Sequence, residues 1–117
     1  MVTALNRWGI PTLFALSLLT SGVLQSAEYK VGMRDWLFTP EELTIKAGDS
    51  VTWLNDDSAD HNLAFYGARP AGAPTKEKPQ DMRVGEEYTL VFDQTGVFEY
   101  VCKIHRRQDM KGVIIVK

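Results

Sequence analysis

Near the end of the chain, the run YVCKIHRRQDMKGV at 100–113 places a cysteine, a histidine and a methionine within nine positions. Cys102 and His105 stand in a C-x2-H spacing, Met110 follows His105 by five positions, and the only other histidine is His61. Two imidazoles, a thiolate and a thioether form a soft-to-borderline donor set that suits copper, and a His2Cys arrangement with a weak axial methionine describes a one-electron copper centre. Zinc competes: His61, Cys102 and His105 could form an open three-ligand zinc site, which would leave Met110 idle. A cysteine nucleophile activated by either histidine is a third reading, without any recognisable oxyanion or helix-terminus context around it. Taken singly, each residue has an ordinary explanation: an inward cysteine as a small hydrophobe, a histidine in a hydrogen bond, a methionine filling a gap. Jointly they do not, because the only cysteine and the only histidines fall into one metal-ligand pattern. Met33 and Met82 have no such placement and read as structural or loop residues.

Those side chains can meet only if the intervening chain brings two distant segments to one end of a scaffold. From Glu28 onward no stretch holds a 3.6-residue apolar period, and the pattern is of short strands: 29–33, 42–47, 50–55, 61–66, 87–92, 97–102 and 112–117. Turn signals separate them, including Gly48 with Asp49, the polar run at 55–60 and the DQTG that ends at Gly96. An all-β sandwich or barrel is expected. The break from Gly67 to Gly85, with Pro70, Pro74 and Pro79, reads as a surface excursion rather than a linker, because too little chain flanks it to make two cores. In GVFEYVC, Phe98, Tyr100 and Cys102 share one face while Glu99 takes the other, so an exposed Glu99 turns the thiol inward.

The chain has 117 residues, 13 basic and 15 acidic, for a formal net charge of -2. One domain fits this length, and nothing in the charge draws nucleic acid. Residues 1–27 carry a single basic residue, Arg7, then an apolar stretch from about Ile10 to Leu24, and read as a secretory signal peptide. The apolar stretch is short for a spanning helix, which takes about 20 residues. The mature domain is then 28–117, exported to the periplasm and not held in a membrane. With only Cys102 available, no internal disulfide forms, and a lone thiol in an oxidising compartment is buried, paired with another chain or held by a metal.

At these residues the sequence resembles the cupredoxins, the small blue copper proteins. TPEELTIKAGDSVTWLNDDSADHNLAF resembles the block that leads to that family's first histidine ligand, and GVFEYVCKIHRRQDMKGVIIV the block that carries cysteine, histidine and methionine. The wording is closest to the amicyanins, while the four residues between His105 and Met110 are spaced as in plastocyanin and pseudoazurin. The resemblance implies a Greek-key β-sandwich of seven to eight strands. It implies one copper ion held by His61, Cys102, His105 and Met110, with Asn62 steadying the cysteine loop and tuning the sulfur. It implies a monomeric electron shuttle rather than an enzyme, exchanging with redox proteins such as a dehydrogenase, a cytochrome c or an oxidase or reductase. A copper chaperone or storage protein in the periplasm would use the same soft ligands and is the alternative. Ile104 stands where the family often has proline. Arg106 and Arg107 flank His105 and read as a solvated rim, or else as a steering patch for an acidic partner. Asp56, Asp57 and Asp60 read as a polar turn.

Overall fold

Alternating inward and outward residues organise the chain into nine strands in a computed structural model that describes residues 25–117. The expected signal peptide lies, up to residue 24, outside the described residues. The strands are β1 (Glu28–Arg34), β2 (Leu37–Thr39), β3 (Glu42–Ile45), β4 (Ser50–Asn55), β5 (His61–Tyr66), β6 (Gln80–Met82), β7 (Glu87–Val91), β8 (Gly96–Val101) and β9 (Lys111–Val116). One sheet has the order β2-β1-β4-β7 and the other β3-β9-β8-β5-β6. Both are mixed, since β1 runs parallel to β4 and β3 parallel to β9 while the remaining neighbours are antiparallel. The sandwich expected from the strand spacing is present. Its two additional strands, β2 and β6, are three residues each, too short for alternation to register.

Each long strand turns one row of side chains into a single apolar core. Val51 and Trp53 on β4, Leu63 and Phe65 on β5, and Phe98 and Tyr100 on β8 are all buried in it. Trp53 and Tyr100 meet edge-on across the two sheets, with ring centroids 5.3 Å apart and planes at 87°, and Phe38 closes on Tyr100 at 4.8 Å. Tyr100 lies opposite Gly112 in the β8–β9 ladder, where a Cβ would fall 2.5 Å from the phenol ring carbon Cζ. Only glycine fits there. The Gly67–Gly85 segment departs from a plain surface excursion: Phe65 N–H donates to the Pro74 carbonyl, and Ala73 and Met82 are buried, so the segment covers the β5 side of the core.

Two features shape the ends of the sandwich. Asp49 lies in the turn before β4, and its carboxylate accepts the backbone N–H groups of Ala27 at 2.8 Å and Lys46 at 2.9 Å. These bonds, the Ala27 one foremost, hold its acid dissociation below the ordinary carboxylate range. At the opposite end, the inward row of β4 finishes on Asn55, which is fully buried. Its side-chain amide donates to the carbonyls of Ala59 and Met82, and its side-chain oxygen accepts Asp57 N–H at 3.0 Å. Asn55 therefore fixes the loop that precedes β5. Among the described residues no helix is long and apolar enough to cross a membrane.

Candidate metal centre

His61 is the first residue of β5 and begins the inward row that continues through Leu63 and Phe65. Cys102 follows β8 directly and ends the row that runs through Phe98 and Tyr100, as strand parity predicts. Because β5 and β8 are antiparallel neighbours, the start of one and the end of the other lie at the same end of the sheet. The connection from Cys102 to β9 closes on itself, with Cys102 N–H donating to the Met110 carbonyl at 3.0 Å. His105 sits inside that loop, followed by a single 3-10 turn at Arg106–Gln108, whose Gln108 N–H returns to the His105 carbonyl. Met110 is buried, with 1% of its surface exposed.

Three donor atoms converge at this end. The Nδ1 atoms of His61 and His105 are 3.0 Å apart, and Cys102 Sγ lies 3.8 Å from the first and 3.4 Å from the second. Bonds of about 2.0–2.3 Å from one ion to nitrogen and sulfur donors span a triangle of that size. His61 and Cys102 are buried, with 1% and 0% exposure, and His105 is partly exposed. Asn62 braces the cysteine from both its ends: its backbone N–H donates to Cys102 Sγ at 3.4 Å, and its side-chain oxygen accepts Lys103 N–H at 2.7 Å.

The tautomer of His61 is set by a residue that reads in the sequence as part of a polar turn. Its Nε2 lies 2.9 Å from Asp57 Oδ2, and with Nε2–H donating to that carboxylate, Nδ1 carries a free lone pair aimed at His105 and Cys102. The bond from His61 leads the causes that hold Asp57 below the usual carboxylate range, followed by Ser58 N–H. His105 is pushed toward the neutral form first by burial and then by the neighbouring His61, which keeps its own lone pair available. The donor set is thus two imidazole nitrogens and one cysteine sulfur, the donor types a soft or borderline metal takes.

Two further residues escaped the sequence reading. Asp57 stands four positions before His61, and the Asn-x-Asp spacing from Asn55 is the one legible sign of the turn that aims it. Trp36 lies between β1 and β2 and places its ring edge-on to His105, centroid to centroid 4.3 Å, and 6.1 Å from His61. No local pattern announces it. Of the other acidic residues in the turn, Asp56 pairs with Arg34 at 3.1 Å and Asp60 is exposed. Arg107 is exposed, in keeping with a solvated rim, while the side chain of Arg106 lies outside the described part of the structure.

Residues 25–117 match the family model described as copper binding proteins, plastocyanin/azurin family. The chain is 41% identical over 85 residues to a chloroplastic plastocyanin of Tetradesmus obliquus, a match covering 69% of this chain and 59% of that protein, less than two thirds of its length. It is 29% identical over 109 residues to amicyanin-alpha of Methylorubrum extorquens, covering 88% of each. Among solved structures, a pseudoazurin from Sinorhizobium superposes with a TM-score of 0.62 at 30% identity, over 78% of this chain and 74% of that one.

Proposed function

The chain belongs to the plastocyanin/azurin family of copper-binding proteins, and on that premise we propose that it is an exported carrier of single electrons whose copper ion is held by His61, Cys102, His105 and Met110. The observation that carries this reading is the triangle of two Nδ1 atoms and one Sγ, all within 4.8 Å of one another at the end of a stiff sandwich. Copper held there would supply a Cu(I)/Cu(II) couple tuned by the identity of its ligands and by the surroundings of the sulfur. The chain's own residues supply the rest. Asp57 keeps His61 in one tautomer, Asn62 fixes Cys102, and the Cys102–Met110 backbone bond closes the loop that carries His105. Donors held in this way move little between oxidation states, which favours fast exchange of one electron.

Burial separates a carrier from the alternatives. A fully buried Cys102 and a nearly buried His61 favour retention of the metal over its delivery to another protein. Zinc would leave Met110 without a role. His105 is the partly exposed donor, and Ile104 beside it is 54% exposed, so electrons pass most directly at this end, to redox proteins such as a dehydrogenase, a cytochrome c or an oxidase or reductase. We place the working protein in the periplasm, as a monomer, after removal of a leader ending near Ala27.

Repeated reduction and reoxidation of the copper-loaded protein in the presence of a competing chelator tests this reading. A carrier returns to the same visible absorbance in every cycle, whereas stepwise loss of metal would move the function to copper delivery. Met110→Gln is expected to lower the reduction potential with copper retained, as an axial role requires. An unchanged potential would remove Met110 from the ligand set.

A further inference from the structure

Trp36 occupies a position that turn chemistry alone would not give it. Arg34 pairs with Leu37 across β1 and β2, so Asp35 and Trp36 are the two central residues of a hairpin loop, with φ of 54° and 63°. Two positive φ values describe the mirror-image turn whose favoured sequences are Asn-Gly and Asp-Gly. Asp35 suits the first position. A tryptophan at the second, where glycine is the ordinary occupant, is strained, and such strain persists where the surroundings over-determine it.

Here the surroundings are the metal centre. Asp35 N–H donates to Asp57 Oδ2 at 3.2 Å, the same oxygen that holds His61 Nε2 at 2.9 Å. Arg34 donates to the carbonyl and the carboxylate of Asp56 at 3.2 and 3.1 Å. The hairpin tip is thereby tied to the loop that sets His61, and the tie carries the indole onto His105 at a centroid distance of 4.3 Å and an interplanar angle of 62°. His105 is the partly exposed imidazole, and Trp36, 42% exposed, stands between one side of its ring and solvent.

We propose that Trp36 is a positioning residue of the metal centre, its indole holding the plane of the His105 imidazole and keeping water from that side, so that bound copper leaves the site slowly. This rests on the copper reading above. Deleting one edge-to-face ring pair from the copper-bound state corresponds to about a fivefold change in an equilibrium or rate.

Three variants separate the indole from the strained turn: Trp36→Ala removes the ring and keeps the strain, Trp36→Gly removes both, and Trp36→Phe keeps an aromatic ring. Two quantities are read: the rate at which an excess of a Cu(I) chelator withdraws copper from the reduced protein, and the melting temperature of the metal-free protein. Trp36→Ala and Trp36→Gly should both release copper about fivefold faster than the parent, and Trp36→Phe within about twofold of it. Metal-free Trp36→Gly should melt roughly 4 °C or more above Trp36→Ala, because glycine relieves the turn. Release at the parental rate from Trp36→Gly but not Trp36→Ala would assign the effect to the turn and overturn the proposal. Parental release from both would also overturn it. A parent that fails to retain copper at all would instead remove the copper reading, a result visible before any variant is made.

Discussion

Asp57→Asn keeps an oxygen that can accept the His61 Nε2 proton but deletes a negative charge one imidazole ring away from the metal position. The Asp57 side chain is 14% exposed, so its charge acts through a medium between protein interior and water. At a separation on the order of 7 Å and an effective dielectric constant of about 40, a unit charge contributes about 1.2 kcal/mol. For one electron that corresponds to about 50 mV. The charge favours the more positive oxidation state, so its removal should raise the reduction potential by about that amount with little loss of copper. Asp57→Ala goes further and leaves the Nε2–H of a His61 only 1% exposed without its acceptor. Loss of such a partner costs about 1–3 kcal/mol, in line with the roughly 10–100-fold loss of metal affinity typical when an outer partner of a ligating histidine is removed. Voltammetry of the copper-loaded proteins and competition titrations with a chelator read the two effects separately. A potential for Asp57→Asn within about 10 mV of the parent, where about 50 mV is expected, would refute the electrostatic argument. Unchanged copper affinity in Asp57→Ala would refute the role of Asp57 in orienting His61.

Gly112→Ala would set a Cβ 2.5 Å from Tyr100 Cζ, and Trp53 and Phe38 leave that ring no direction in which to yield. A loss of about 3 kcal/mol is expected in urea unfolding of the metal-free protein, and a loss below about 1 kcal/mol would show that the β8–β9 ladder can open to admit a methyl group. Tyr100 Oη and Trp53 Nε1 are both buried without a well-formed hydrogen bond, so Tyr100→Phe should be neutral or stabilising by up to about 1 kcal/mol; a clear destabilisation in the same assay would reveal a bond made by the hydroxyl. Asp49 dissociates below its ordinary range, chiefly because of Ala27 N–H and then Lys46 N–H, so its contribution to stability is complete above the unfolded carboxylate value and lost as pH falls through the depressed folded one. The stability difference between the parent and Asp49→Asn, measured by urea unfolding of metal-free proteins that both retain Ala27, should therefore be largest near neutral pH and shrink below about pH 4. A constant difference would detach Asp49 from these bonds.

The parts of this architecture that follow a period could be read in advance. Alternation in GVFEYVC predicts the inward turn of Cys102, and the strands at 50–55 and 61–66 have the expected bounds. The meeting of His61 and Cys102 needs only the ends of two neighbouring strands to coincide, and they do, while the loop closed by Cys102 N–H on the Met110 carbonyl brings in His105. Asp57 was hidden for a physical reason: an acidic run in a turn is adequately explained by solvation, and only the fold brings its carboxylate back onto the imidazole four residues later. β2 and β6 were hidden because three residues make barely one alternation. Trp36 runs against turn chemistry, so local rules steer away from the placement that brings it to His105.

The most direct test of the proposed copper centre is the visible absorption spectrum, with electron paramagnetic resonance, of residues 25–117 after addition of one equivalent of Cu(II). Ligation by the Cys102 thiolate predicts an intense blue or green colour with narrow copper hyperfine splitting, and Cys102→Ser should abolish that colour. A protein that binds the metal and stays colourless, or a colour that survives in Cys102→Ser, would contradict the assignment of the centre.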